Sequence, residues 1–356
     1  MENINKKSEI KLKNEDIFRS IKFVKTITTD LFTNDYFNNK ACFYFNELNK
    51  NNYIVYGNNS LNLEFYNIDN QLKNIIIEGL HEDLFVSCKS FDHHIITTSL
   101  DNHLKIVSLL EINNSLRGTI ELDYNFESLK GVIINTSFFL NSKIFIPLSS
   151  SEKGVINIYN SNFLNTNKIS EKIINVGFVL SMTSFYDEKN EIDYLLVSNK
   201  EGIFTYDLQY YNLYFKFIPQ KKESNNKEMI FDEPCIIKKD DKVILVGNTY
   251  ISGYFFFWNF YDKTLMNVAK SDLSINNICL WDNNYIFASF NNNQTEFGLI
   301  NLNDMSIEEI QINENNLNFG KGKCVKLSKA ISSKKINYLI SISYNGKLNL
   351  YKIVKK

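Results

Sequence analysis

One unit of apolar and polar positions recurs along the chain. It is a run of β-forming apolar residues, a polar turn, and a second such run that ends in an aromatic or aliphatic residue. The copies are YIVYGNNSLNLEFYNI (53–68), IITTSLDNHLKIVSLL (95–110), IFIPLSSSEKGVINIYNS (144–161), YLLVSNKEGIFTYDL (194–208), VILVGNTYISGYFFFWNF (243–260), IFASFNNNQTEFGLINL (286–302) and YLISISYNGKLNLYKI (338–353). Their second runs place Tyr66, Val107, Tyr159, Tyr206, Trp258, Ile300 and Tyr351 at one equivalent position. A further strand candidate follows each hairpin except the last, at 71–79, 117–124, 168–176, 213–219, 263–271 and 306–313. The sequence stops at Lys356, directly after the seventh hairpin, while a lone candidate, SIKFVKTITT (20–29), stands at the front with no hairpin before it.

The equivalent positions recur about every 47 residues, the period of a four-stranded propeller blade. The expected fold is therefore all-β: a seven-bladed β-propeller of four-stranded antiparallel blades, closed by the N-terminal strand (about 20–29) pairing with the last blade. Such pairing supplies the missing outer strand and removes an open edge. Residues 1–17 are expected to form a flexible tail, and 18–356 a single domain. The cysteines fit this frame independently. Cys42, Cys88, Cys235, Cys279 and Cys324 all fall in the β-type run before a hairpin, which would be the innermost strand. Small, weakly polar side chains suit that crowded position. Lying in different blades, they are not expected to form disulfides.

The pattern resembles the WD40-repeat proteins in repeat length, strand order and end closure. GLH at 79–81 stands near the family's Gly-His position, Ser99 and Asp101 match its hydroxyl and turn aspartate, and Val107 replaces its tryptophan. Tyr206-Asp207 and Trp258-Asn259 occupy the Trp-Asp position, whereas Trp281-Asp282 follows the first strand of its repeat instead of ending a hairpin. In the family, Asp, His, Ser/Thr and Trp form a hydrogen-bonded network across blade strands; here the motifs are heavily eroded. The resemblance implies a rigid, non-catalytic protein–protein interaction scaffold, a subunit of a eukaryotic multiprotein complex.

Composition narrows the partners. The 356 residues carry 39 Lys+Arg against 40 Asp+Glu, a balance that argues against gripping nucleic acid or an anionic membrane surface. About one residue in seven is Asn, and only Arg19 and Arg117 are arginine. Lys, Asn, Ile, Phe and Tyr share A/T-rich codons, so Asn runs such as 291–295 reflect genomic bias rather than a low-complexity segment. The first residues contain no apolar signal region, and no run of about 18 apolar residues occurs. The expected location is intracellular, cytoplasm or nucleus, with reduced thiols.

Catalytic signatures are missing from the sequence: there is no GxSxG, HExxH, P-loop, GxGxxG or CxxC. His81, His93, His94 and His103 crowd the second repeat, but their expected places, a connecting loop, a strand turn and a hairpin tip, do not converge on one ion. The acidic clusters Asp187-Glu188-Glu191-Asp193, Asp232-Glu233 and Asp240-Asp241 read as solvated loop charge. No catalytic residue, cofactor or metal is assigned. LRGT (116–119) weakly resembles the basic motif of phosphoinositide-binding propellers, yet a single guanidinium forfeits multivalent recognition, so Arg117 reads as a loop arginine before a strand. The Lys-rich tracts 221–234 and 332–337 are mixed with acids or hydroxyls. The connection from Pro219 to Pro234 is the longest between strands, and Tyr210, Tyr211 and Tyr214 beside it are candidate partner anchors. Two other functions stay open: an ester-hydrolase-like enzyme with polar residues converging on the central channel, and a phosphoinositide-binding propeller using Arg117.

Overall fold

The computed structural model describes residues 9–10, 20–28, 41–70, 74–91, 93–112, 115–125, 133–134, 137–140, 143–149, 154–160, 172–177, 179–219, 229–239, 241–249, 252–272, 274–282, 284–290, 297–310, 322–327, 336–343 and 347–354. Every regular element among them is a β-strand, and the strands form seven antiparallel sheets. In chain order, sheet one covers 41–77, sheet two 85–125, sheet three 133–175, sheet four 181–217, sheet five 235–270, sheet six 275–310 and sheet seven 322–354. In sheets one, two, four, five and six the strands lie side by side in the order in which the chain makes them. The fold is an all-β propeller of four-stranded antiparallel blades.

Each apolar run is where burial demands it. Second strands are covered on both faces by neighbouring sheets, so they read as unbroken apolar stretches; Lys242–Asn248 is buried at every residue but its first. Outer strands face solvent and are far more mixed, as in Thr264–Lys270, none of which is buried. Among the described residues, six apolar clusters lie between successive sheets. They join one to two, two to three, three to four, four to five, five to six, and seven to one. Between sheets six and seven, the strands Ile275–Asp282 and Gly322–Leu327 lie against each other.

The equivalent positions of the repeat share one register. Tyr66, Val107, Tyr159, Tyr206, Trp258, Ile300 and Tyr351 sit in third strands, opposite Ile54, Ile95, Ile144, Leu195, Leu245, Ile286 and Leu339 of the second strands. All of those aliphatic partners are fully buried. The pairing of third with fourth strand slips by one residue just beside this position in sheets two, four and five, leaving Glu121, Tyr214 and Met266 as the extra residues. The strand Ser20–Thr28, which pairs with Lys347–Val354, bulges at the same place, with Val24 as the extra residue. A bulge bends a strand and re-aims its side chains.

Two sheets depart from the plain meander. In sheet three the first strand is in two pieces, Ile133–Ile134 and Phe138–Leu140. They pair with Leu148–Ser149 and Lys143–Phe145, on either side of Pro147, which has no N–H to donate. In sheet seven, Glu9–Ile10 pairs with Lys22 and Ile21. That part of the 1–17 segment is thus a short strand on the domain's edge; the rest of the segment lies outside the described residues, as does most of the long connection at 220–228.

Candidate interaction surface

The three tyrosines next to the long connection have three different environments. Tyr210 has the exposed ring, 64% accessible, on a turn in which its N–H donates to Asp207 Oδ1 at 2.6 Å. Tyr211 is half-buried, and its hydroxyl accepts a 2.7 Å hydrogen bond from Lys143 Nζ of sheet three. Tyr214 is the bulged residue of the outer strand. Its ring stacks on Phe260 of sheet five (5.5 Å, 18°), lies 4.9 Å from Tyr194, and carries Lys263 Nζ 4.3 Å above it. Such an arrangement seals the seam between sheets four and five.

Two clefts flank these residues along the junction of sheets three and four. One, of about 300 Å³, is lined by Leu140, Lys143, Leu208 and Tyr211 with Glu191 and Asp193. The other, of about 500 Å³, is lined by Phe204, Tyr206, Leu213, Lys200, Lys216 and Glu201 among others. Lys216 Nζ sits 4.4 Å over the Phe204 ring. The surface thus combines apolar floor, an exposed tyrosine and charges of both signs. Its lining comes from separate stretches of two repeats, which is why sequence spacing alone does not reveal it.

Arg117 is not in a loop. It lies inside the strand Ser115–Asn125, opposite Leu110, and both are exposed. The second strand of this sheet ends its pairing at Ser108, so residues 109–112 and 115–118 project beyond it as a two-stranded ribbon. Leu109 and Leu116 of the ribbon pack with sheet one, and Gly118 lies flat on Ile77, where a Cβ would come within 2.1 Å of the Ile77 Cδ1.

Lys89, in the first strand of sheet two, reaches past sheet three. From sheet two its Nζ reaches the Met182 carbonyl of sheet four at 3.3 Å and Glu233 Oε1, next to sheet five, at 3.4 Å. Nearby, burial and then Glu233 push the Cys235 thiol up to about 12, which keeps it protonated. All five cysteines lie in first strands. Ser87 bonds Thr98 and Ser181 bonds Ser198 in buried first-to-second strand pairs of 2.7 and 2.6 Å.

Each histidine faces its own carboxylate: His81 with Asp101, His93 with Glu47, His94 with Glu121, and His103 with Asp123. Among the described residues, no group of three or more His, Cys, Asp or Glu is placed to hold a metal. The His81 arrangement is similar to the hydrogen-bonded network of the WD40-repeat proteins. Its Nδ1 lies 2.9 Å from Asp101 Oδ2 and its Nε2 2.9 Å from Thr97 Oγ1. The hydroxyl is therefore Thr97; Ser99 instead donates to the Asp83 carbonyl. Burial alone would raise the Asp101 carboxyl, but hydrogen bonds from His81 and from the N–H groups of Glu82 and His103 outweigh it and hold it well below the usual range.

The sign of the pH effect follows. A depressed folded-state carboxyl stabilises the fold above its unfolded value, about 4, and the contribution fades as pH falls through the folded value. Asp101→Asn is expected to cost about 1–3 kcal/mol at pH 7. The gap between variant and parent in urea unfolding should shrink as pH is lowered from 5 to 3; a gap that is constant across that range would refute the charge-based account.

Within the first acidic cluster, one residue is not solvated. Asp187 is buried and accepts hydrogen bonds from the Tyr261 hydroxyl (2.7 Å), Asn190 Nδ2 (2.7 Å) and the Lys189 N–H (3.1 Å). These bonds overcome the raising effect of burial and lower its carboxyl pKa. Glu188 pairs with Lys238 at 2.7 Å. Asp240, the Lys-rich residues 221–228 and 332–335, and the Asn run 291–295 lie outside the described residues. No helix among the described residues is long and apolar enough to cross a membrane.

No protein-family profile matches the sequence, and no curated protein matches it. Solved structures do match by shape. A chain of the mitotic checkpoint complex superposes with a TM-score of 0.70 at 9% identity, covering 94% of this chain and 92% of that one. Raptor of Chaetomium thermophilum superposes with a TM-score of 0.64 at 11% identity, covering 91% of this chain and 29% of that one. With its antiparallel four-stranded blades and its His81–Asp101–Thr97 network, the chain has the fold of the WD40-like β-propellers.

Proposed function

We propose that residues 18–356 form one seven-bladed ring, latched by the strand 20–28, and that this ring is a non-catalytic scaffold within a eukaryotic multiprotein complex of the cytoplasm or nucleus. The bulge that Ser20–Thr28 shares with the outer strands of sheets two, four and five supports its role as a true fourth strand. The observation that carries the scaffold reading is the surface at sheets three and four, where the exposed Tyr210 stands beside two clefts lined by both apolar and charged side chains. Both structural neighbours are propellers, one of them from a structure of a multiprotein complex. Fold alone does not set function, so the site must be tested directly.

The channel enzyme requires several titratable groups converging at the axis. Lys89 and Glu233 there are engaged with each other, which favours a strut over a reacting pair. The lipid reading rests on one guanidinium, since Ser115 and Thr119 are the strand neighbours of Arg117 on its own face. In extracts of its native cells, the full chain is expected to migrate well above its own 41.6 kDa. The double variant Tyr210→Ala, Lys216→Glu should release at least one co-migrating protein while keeping the parental melting curve. A parent chain that migrates at its monomer mass would sink the scaffold proposal.

A further inference from the structure

The first strands of sheets one and two, Ala41–Asn46 and Phe85–Phe91, bring Cys42 Sγ to 3.6 Å from Cys88 Sγ. Sequence reasoning sets these thiols apart because they belong to different repeats. It overlooks that first strands of adjacent blades run next to each other around the axis, so residues one period apart become neighbours. Both thiols are buried, Cys42 at 8% and Cys88 at 1% exposure, in an apolar cluster with Val55, Phe65, Phe85 and Ile95. The seam has little slack: Gly57 of sheet one lies so close to Phe85 that a Cβ would fall 2.2 Å from the ring. A disulfide needs a sulfur separation of about 2.05 Å, so from 3.6 Å each sulfur must move by roughly 0.8 Å.

We propose that Cys42 and Cys88 form a redox-sensitive site, which hydrogen peroxide converts into a disulfide that staples sheet one to sheet two. This inference stands on geometry and does not depend on the scaffold reading. Cys42, the more exposed thiol, reacts first. Its thiolate attacks one peroxide oxygen, the O–O bond breaks, and a sulfenic acid forms with release of hydroxide, which takes up the thiol's proton as water. Cys88 then attacks that sulfur; the S–S bond forms, the S–O bond breaks, and a second water leaves with the Cys88 proton. The sulfurs are oxidised by two electrons and the peroxide is reduced by two. The product closes a loop from residue 42 to residue 88 that contains all of sheet one but its first residue.

The test uses the full chain, folded, treated with hydrogen peroxide, quenched, alkylated under denaturing conditions and digested for mass spectrometry. A linked peptide pair joining Cys42 to Cys88 is expected, lost on treatment with dithiothreitol and absent from Cys42→Ser. The same peroxide treatment in strong denaturant should scatter oxidation over other cysteine pairs, because only the fold selects this one. Oxidised parent should also melt several degrees higher than reduced parent, a shift missing in Cys88→Ser. Recovery of Cys42 and Cys88 from the folded chain only as alkylated thiols, or of Cys42 as a sulfinic acid without any linked peptide, would overturn the proposal.

Discussion

Removing residues 1–28 is expected to abolish cooperative folding of the chain or to lower its thermal midpoint by more than ten degrees. Ser20–Thr28 contributes eight residue pairs to the edge of Lys347–Val354. Its Ile27, 8% exposed, packs with Ile340, Leu348 and Leu350 of sheet seven and with Ala41, Ile54 and Tyr56 of sheet one. Burial of an isoleucine contributes about 1.5–3 kcal/mol, and each lost interstrand hydrogen bond about 0.5–1.5 kcal/mol. Against a typical total of about 5–15 kcal/mol, losing the strand consumes most of the margin. The deletion also leaves Lys347–Val354 as an open edge, the kind of surface that pairs with other chains, so soluble aggregates should appear in light scattering. Ile27→Asp, which keeps the strand and buries one unpartnered charge, should fall between parent and deletion. A deletion variant that melts within a few degrees of the full chain would show that the leading strand is dispensable.

The repeat was legible because propeller blades are buried on both faces in their second strands. Continuous apolar runs such as VILVG (243–247) and YLLVS (194–198) stand out from any background, and their third-strand partners fall into one register from Ile54–Tyr66 to Leu339–Tyr351. What escaped the sequence is what depends on contacts between repeats. Asp187 looks like loop charge until Tyr261, from the next blade, is seen donating to it. Cys42 and Cys88 look remote until adjacent first strands place them side by side. Tyr214 and Tyr210 are indistinguishable by type and spacing; a one-residue bulge turns the first onto Phe260 and leaves the second in solvent. Arg117 reads as a loop residue because the outer hairpin of sheet two, 103–125, runs beyond its second strand. The network at His81 is half readable: its histidine and aspartate stand out, but two hydroxyls, Thr97 and Ser99, lie two residues apart in one strand and only the structure shows which one His81 meets.

The seam between sheets four and five should be the most sensitive core site to truncation. Phe260 is fully buried, and its ring lies 5.2–5.8 Å from those of Phe185, Tyr194, Tyr214, Phe217 and Tyr261. Aromatic pairs at these separations add to plain burial. Five rings around one position, supplied by three strands of sheet four and a turn of sheet five, have little freedom to collapse together, so a cavity would persist. Phe260→Ala is therefore expected to destabilise by about 3–5 kcal/mol, read as a lower urea midpoint with an unchanged slope. Phe260→Leu, which retains most of the volume, should cost about 1–1.5 kcal/mol. Met266→Ala, at the exposed bulge of sheet five, should change stability by less than about 0.5 kcal/mol. The contrast separates ring packing from a general intolerance of the blade: equal losses at 260 and 266 would mean that the seam is not held by its aromatic cluster, and that the interlocking rings do not set the spacing of these two blades.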